Sequence, residues 1–369
     1  MKTRDTLEER IYNFSSGPAA LPLSVLEKVR EELLNFQNTG MSVMEISHRS
    51  KHFEGVLDRA EGGLRRLLGI SDDYAVLFLS GGARLQFSMI PMNLYAKGKP
   101  VDVINTGIWT QAAIMELERL TEYRLAASLE KENFKRLPRL EEIDLSPNAS
   151  YVYIASNNTI YGTQWHEFPD TGAVPLVADM TSDILSRRID ISKFGLVFAS
   201  AQKNLGPAGV TVVIIRKDLA EKAKDTIGTT LQYRTHIKHR SLYNTPPVFP
   251  IYVAALVTEW TEAQGGMAAL EIRNEEKAKR LYEAIDVNDF YYSPIEKADR
   301  SVMNVVFRIR GDREDLEKQF VGEALKAGLG GLEGHRSIGG LRASIYNAQT
   351  LEGVNALIGF MKEFASRNG

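Results

Sequence analysis

The segment Leu196–Ile215 reads Leu-Val-Phe-Ala-Ser-Ala-Gln-Lys-Asn-Leu-Gly-Pro-Ala-Gly-Val-Thr-Val-Val-Ile-Ile. Two short apolar runs, Leu196–Ala199 and Val210–Ile215, flank a polar loop that holds Lys203 and a Gly206–Pro207 turn. Short apolar runs bounded by turn residues predict strands buried on both faces. The same pattern recurs at Ala75–Leu79, Val101–Asn105, Tyr151–Ala155 and Val174–Ala178. Helical patterns, such as Arg84–Tyr95 and Thr110–Arg119, lie between them. Strands alternating with helices predict an α/β fold built on a mostly parallel sheet covered on both faces.

The last hundred residues form a second α/β unit in the same reading. Helical residues around Ala278–Ala284 precede a strand at Val302–Ile309 and a helix at Arg313–Ala327. A Gly-rich turn, a strand at Leu341–Tyr346 and a helix near Leu351–Phe364 complete it. Gly265 and Gly266 interrupt the helical pattern, so the boundary falls near Gln264–Gly266. The expected division is an N-terminal arm over 1–20, a large domain over 21–265 and a small C-terminal domain over 266–369. Leu231–Pro250 reads as a long polar loop, and a loop that long inside a compact domain is usually functional.

Composition excludes several classes of protein. The chain has 369 residues, with 45 Lys and Arg against 47 Asp and Glu, a formal net charge of −2. That balance argues against a nucleic-acid partner, which needs a basic face. Zero Cys excludes a disulfide framework, a zinc-thiolate site, an iron–sulfur cluster and a cysteine nucleophile. No metal site is expected. Met1–Arg10 is charged and lacks the apolar core of a signal peptide, and no run of some 18 apolar residues suggests a membrane span. A cytoplasmic location is expected.

Three features at predicted strand ends carry chemistry. Ser80–Gly81–Gly82–Ala83–Arg84 follows a strand and opens a helix. Glycines there let N–H groups point at an anion, and the helix N-terminus adds a favourable dipole. A plain strand-to-helix turn reads the same way. Asp179 ends the Val174–Ala178 run; alone, it reads equally as a cap or turn residue. Lys203 follows Leu196–Ala199 and, if desolvated, would have the lowered pKa of a nucleophilic lysine; alone, it reads as a solvated loop residue. Together the three match the needs of pyridoxal phosphate: a cradle for its phosphate, an acid for its pyridine nitrogen and a lysine for its aldehyde.

Gln202–Lys203–Asn204 with Gly206–Pro207–Ala208–Gly209 resembles the Schiff-base loop of the phosphoserine aminotransferase family, fold-type-I, class V pyridoxal-phosphate enzymes. Matching segments span nearly the whole chain: Phe14–Ala19, His48–Ser50, Gly81–Arg84, Val177–Ser182, Tyr243–Pro247, Gly334–Arg336 and Arg342–Asn347. The resemblance implies a large domain with a mostly parallel seven-stranded sheet and a smaller α/β C-terminal domain. It implies that Lys203 forms the Schiff base and Asp179 pairs with the pyridine nitrogen. Ala83, Arg84, Gln202, Asn244 and Thr245 would hold the cofactor phosphate, the last two from a second subunit of a homodimer with shared active sites. Trp109 would stack on the ring and Thr159 would bond its 3-oxygen. The family's Asn-Glu-Thr reads Asn157–Asn158–Thr159 here, so a carboxylate is missing from that loop.

The implied reaction is ping-pong transamination between L-glutamate and 3-phosphohydroxypyruvate, giving 2-oxoglutarate and O-phospho-L-serine in serine biosynthesis. Some members of the family also act on 4-phosphohydroxy-L-threonine in vitamin B6 biosynthesis. One pocket must accept a phosphate or a second carboxylate, which calls for Arg and His. The matching positions are His48, Arg49, His335, Arg336 and Arg342, with Arg342 on the shared α-carboxylate. Trp165, His166 and Ser182 are assigned to structure rather than chemistry. A desulfurase of the same fold is excluded by the lack of a thiol. An alanine–glyoxylate aminotransferase would not call for the His-Arg pairs, and a non-catalytic anion binder would not need both Lys203 and Asp179.

Overall fold

Seven strands build the main sheet: β1 (Tyr74–Leu79), β2 (Val101–Asn105), β3 (Tyr123–Ser128), β4 (Tyr151–Ala155), β5 (Leu176–Asp179), β6 (Leu196–Ser200) and β7 (Thr211–Arg216). The structure, a computed structural model, describes residues 10–311 and 313–369. Nine residues of the expected arm, and with them all but the last residue of the Met1–Arg10 stretch read for a signal peptide, lie outside the described residues.

The sheet order is β1-β7-β6-β5-β4-β2-β3. Only β7 runs against its neighbours, pairing antiparallel with β1 and β6; every other pair is parallel. The six expected runs are all strands. The seventh, β3, is an edge strand with mostly half-exposed residues, so it lacks the continuous apolar run of its neighbours. β5 begins two residues later than expected, after Pro175, which has no N–H to give to a ladder, and it ends one residue later because Asp179 pairs with Ala155 and Phe198.

Alternation along the strands feeds two cores. Val152 and Ile154 of β4 face one layer, which α2 (Lys51–Leu68) and α5 (Val248–Ala263) fill with Phe53, Val56, Leu57, Ile251 and Val257. Tyr151 and Tyr153 face the other, formed by α3 (Gly82–Leu94) and α4 (Ile108–Leu120) through Phe87, Ile90, Ala113 and Leu117. The helix α1 (Leu23–Glu32) rests on the outer side of α5.

The reading of Leu231–Pro250 as one loop is corrected. Tyr233–Lys238 is helical, and α5 has begun by Val248. Tyr233 is fully buried; its N–H donates to Asn93 Oδ1 at 3.1 Å and its hydroxyl to Gln86 Oε1 at 2.7 Å. Tertiary contacts with α3 order a segment whose composition looks loop-like.

A second sheet, order β10-β9-β8, is antiparallel: β8 (Tyr291–Tyr292), β9 (Asn304–Ile309) and β10 (Leu341–Ser344). Helices α6 (Gly266–Asp286), α7 (Glu314–Lys326) and α8 (Leu351–Asn368) cover it. Its core is a set of edge-to-face aromatic pairs centred on Phe320, which meets Tyr291, Phe307, Phe360 and Phe364. The N-terminal segment joins this core: Phe14 is fully buried in it, and Tyr12–Asn13 pairs in parallel with Leu329–Gly330. Among the described residues, no helix is long and apolar enough to cross a membrane.

Candidate active site

The carboxyl ends of β1, β5 and β6 open onto one cavity of about 480 Å³, where open α/β sheets bind ligands. Three strand-end features far apart in the chain line it together: Gly81–Arg84, Asp179 and Lys203. Gly81 (φ +95°) and Gly82 (φ +68°) turn the chain from β1 into α3 through left-handed conformations that favour glycine. No side chain caps α3. The Ala83 N–H donates to Ser200 Oγ at 3.0 Å, which fixes the first helical turn against the end of β6.

Lys203 is 8% exposed, and its Nζ donates to Thr159 Oγ1 at 2.6 Å. Burial pulls its pKa down from 10.5 to about 8; the Asp179 charge opposes this and the Arg342 charge adds to it. The carboxyl of Asp179 is pushed up by burial, while the Thr181 hydroxyl and N–H (2.9 Å to Oδ1) and the Lys203 charge pull it back. The N-terminal segment passes over the lysine: a Cβ at Gly17, where φ is +138°, would sit 3.4 Å from Lys203 Cε.

Arg342 reaches the cavity from β10. Its Nη1 donates to Thr159 O at 3.2 Å and its Nη2 to Ser16 Oγ at 2.8 Å, while Nε, buried, has no partner. Trp109, on the first turn of α4, likewise has a buried Nε1 without a partner. Two unanswered donors on one cavity's wall residues call for acceptors from a ligand. His335 lines the same cavity; burial, with Arg342 and Arg336 nearby, lowers its pKa.

Of the residues singled out from the sequence, the structure brings together Ala83, Arg84, Trp109, Thr159, Asp179, Gln202, Lys203, His335 and Arg342. His48, Arg49, Asn244, Thr245 and Arg336 do not line this cavity. Arg49, Asn244, Thr245 and Arg336 are exposed, and Asn244 borders a neighbouring cavity behind Gly81. Sequence reasoning overlooked Thr181, Ser200 and Ile160, and it set Ser182 aside as structural although it lines the cavity. The signal for Thr181 was its place two residues after Asp179, where its N–H closes a turn on the carboxylate. For Ser200 it was a hydroxyl ending an otherwise apolar strand.

Asn158, in place of the family's Glu, is buried. Its amide donates to Thr106 Oγ1 at 3.2 Å and Thr163 Oγ1 at 2.8 Å, tying the Thr159 loop to the turn before Trp109. Its Oδ1 is left without a partner. The loop therefore holds Thr159 in place with a neutral amide.

A family model for class-V aminotransferases matches residues 11–357. The chain belongs to that family. Its place there is among the phosphoserine aminotransferases: it is 56% identical over 360 residues to that of Geobacillus kaustophilus, covering 97% of this chain and 99% of the relative. It is 54% identical over 365 residues to that of Desulfosudis oleivorans, covering 98% and 100%. Among solved structures, phosphoserine aminotransferase from Bacillus circulans subsp. alkalophilus superposes with a TM-score of 0.95 at 49% identity, covering 98% of this chain and 100% of that one. A PLP-bound phosphoserine aminotransferase from Trichomonas vaginalis gives 0.92 at 42% identity, covering 96% and 100%.

Proposed function

We propose that this chain transfers the amino group of L-glutamate to 3-phosphohydroxypyruvate, releasing 2-oxoglutarate and then O-phospho-L-serine, in serine biosynthesis. One observation carries the reading: a buried, hydrogen-bonded Lys203 shares a cavity with Asp179 and the partly unpaired Arg342. The cofactor is pyridoxal phosphate. The residues present fit it: Gly82–Arg84 and Gln202 for the phosphate, Asp179 for the ring nitrogen, Trp109 for the ring face, Thr159 for the ring oxygen and Lys203 for the aldehyde. When bound, it supplies an electron sink that makes the Cα–H bond of an amino acid breakable.

The chain's own residues then have distinct tasks. Burial leaves about a tenth of Lys203 as free amine at pH 7, hundreds of times more than an ordinary lysine has, so its Nζ can take the proton from the substrate's Cα and return it. Thr159 orients that amine. The guanidinium of Arg342, held at the cavity wall by Thr159 and Ser16, takes the α-carboxylate common to the amino-acid substrates. His335 adds a donor on the same side.

His48, Arg49, Arg336, Asn244 and Thr245 complete the phosphate and second-carboxylate sites in a cytoplasmic homodimer. Their positions outside the single chain's cavity support this reading. So do Met41 and Met44, 44% and 59% exposed a few residues before His48 and Arg49 in the chain: apolar side chains that a second subunit would cover. The separate aromatic core around Phe320 supports dividing the chain into domains at Gly265/Gly266, and the described end of the arm touches both, with Phe14 in that core and the Ala19 N–H on Gln202 O.

Purified protein should carry the chromophore of lysine-bound cofactor. Glutamate should abolish it and 3-phosphohydroxypyruvate restore it, with glyoxylate a poor substitute. Protein that stays colourless with added pyridoxal phosphate, or a Lys203→Ala variant with normal colour and turnover, would overturn the proposal. Arg336→Ala should impair phosphorylated substrates far more than cofactor binding.

A further inference from the structure

Lys277, on α6, is a buried lysine that lines no part of the cavity. Its Nζ donates to three backbone carbonyls: Ile345 O at 2.9 Å, Tyr346 O at 2.8 Å and Gln349 O at 3.0 Å. All three ammonium protons are thereby spent on one turn, where β10 gives way to α8. Burying an ammonium is costly, and an apolar side chain would fill the space without that cost. Burial, with the Arg273 charge adding to it, draws its pKa down to about 7, yet three carbonyl acceptors around one nitrogen are matched only by the three protons of the ammonium. The charge therefore serves the turn rather than the packing of α6.

Three connections run from this turn to the site. Tyr346 donates its hydroxyl to Ser16 O at 2.9 Å, the residue whose Oγ accepts from Arg342. The Asn347 N–H donates to Asn204 Oδ1 at 3.0 Å, and Asn204 is the residue after Lys203. Asn347 Nδ2 donates to Leu185 O at 2.7 Å, in the loop that follows Asp179. Asn274, one turn before Lys277 on α6, closes the frame by donating to Asn347 Oδ1 at 2.9 Å and Ser186 O at 2.8 Å.

We propose that Lys277, supported by Asn274, is a positioning residue: its ammonium gathers the Ile345–Gln349 turn and through it sets the places of Lys203 and Arg342. The inference rests on the reading of Lys203 as the cofactor-binding lysine. It assigns a role in the reaction's geometry to a residue that touches neither substrate nor cofactor.

The test compares Lys277→Met, of similar length but without donors, with wild type as holoenzyme. Cofactor affinity is read by equilibrium dialysis, and the pH midpoint of the lysine-bound chromophore by absorbance. The expected result is cofactor affinity weakened about tenfold or more, the size of loss that removing a support behind ligating residues produces, together with a displaced spectral midpoint. A lowered melting temperature with wild-type affinity and midpoint would overturn the proposal, since a merely structural role predicts that pattern. Should Lys277→Met not fold, Asn274→Ala decides: it is remote from Lys203, and an unmoved midpoint and affinity there would overturn the inference, while a shift in both supports it. Wild-type protein without the chromophore would instead overturn the reading of Lys203, and the inference with it.

Discussion

In the cofactor-free protein, Lys203 should titrate near pH 8. Its ordinary pKa of 10.5 is lowered to about 8 by burial, the largest of the influences on it. At pH 8 an ordinary lysine is about 0.3% free amine and Lys203 is about half, roughly a 150-fold gain in nucleophile. The measurement is acylation by an amine-selective reagent across this pH range, with the Lys203 peptide quantified by mass spectrometry. Asp179 raises the pKa and Arg342 lowers it, so Asp179→Asn should move the midpoint down and Arg342→Met should move it up. A midpoint near the ordinary 10.5, or an upward move in Asp179→Asn, would refute the electrostatic account. The same shift has a consequence for stability. Between pH about 8 and 10.5 the unfolded chain holds more protons at this site than the folded one, so stability rises with pH across that window.

Two further outcomes are expected. If Arg49 serves the partner's site, Lys203→Ala and Arg49→Ala proteins, each inactive, should regain about a quarter of wild-type activity when refolded together, because half the dimers are mixed and each mixed dimer has one intact site; no recovery would place Arg49 and Lys203 in the same subunit's site. Gly107→Ala should cost about 1–3 kcal/mol in urea unfolding and weaken cofactor binding, since the added Cβ would lie 2.9 Å from Asn158 Oδ1 and 3.1 Å from Tyr161, between the loops that carry Trp109 and Thr159.

Local signals made much of this molecule legible. The buried strands announced themselves as unbroken apolar runs, and the glycines before α3 and the lysine after β6 stood at strand ends where sheets bind ligands. β3 escaped because an edge strand is only partly buried. The Tyr233–Lys238 helix escaped because its order comes from Asn93 and Gln86, more than a hundred residues away along the chain. The arm's approach to Arg342 through Ser16 spans 326 residues and has no local signature.

Residue types and their order were enough to restrict the chemistry: with no Cys, an acid and a lysine at successive strand ends, and a glycine turn before a helix, few cofactors other than pyridoxal phosphate match. The folded chain decided the rest. Only packing places Lys203 against Thr159, 44 residues earlier, and only burial turns an ordinary lysine into one titrating near pH 8. Only the second sheet, held to α6 by Lys277, delivers Arg342 to a cavity built by the first. Desolvation and long-range contacts are properties of the assembled chain, and no stretch of residues contains them in advance.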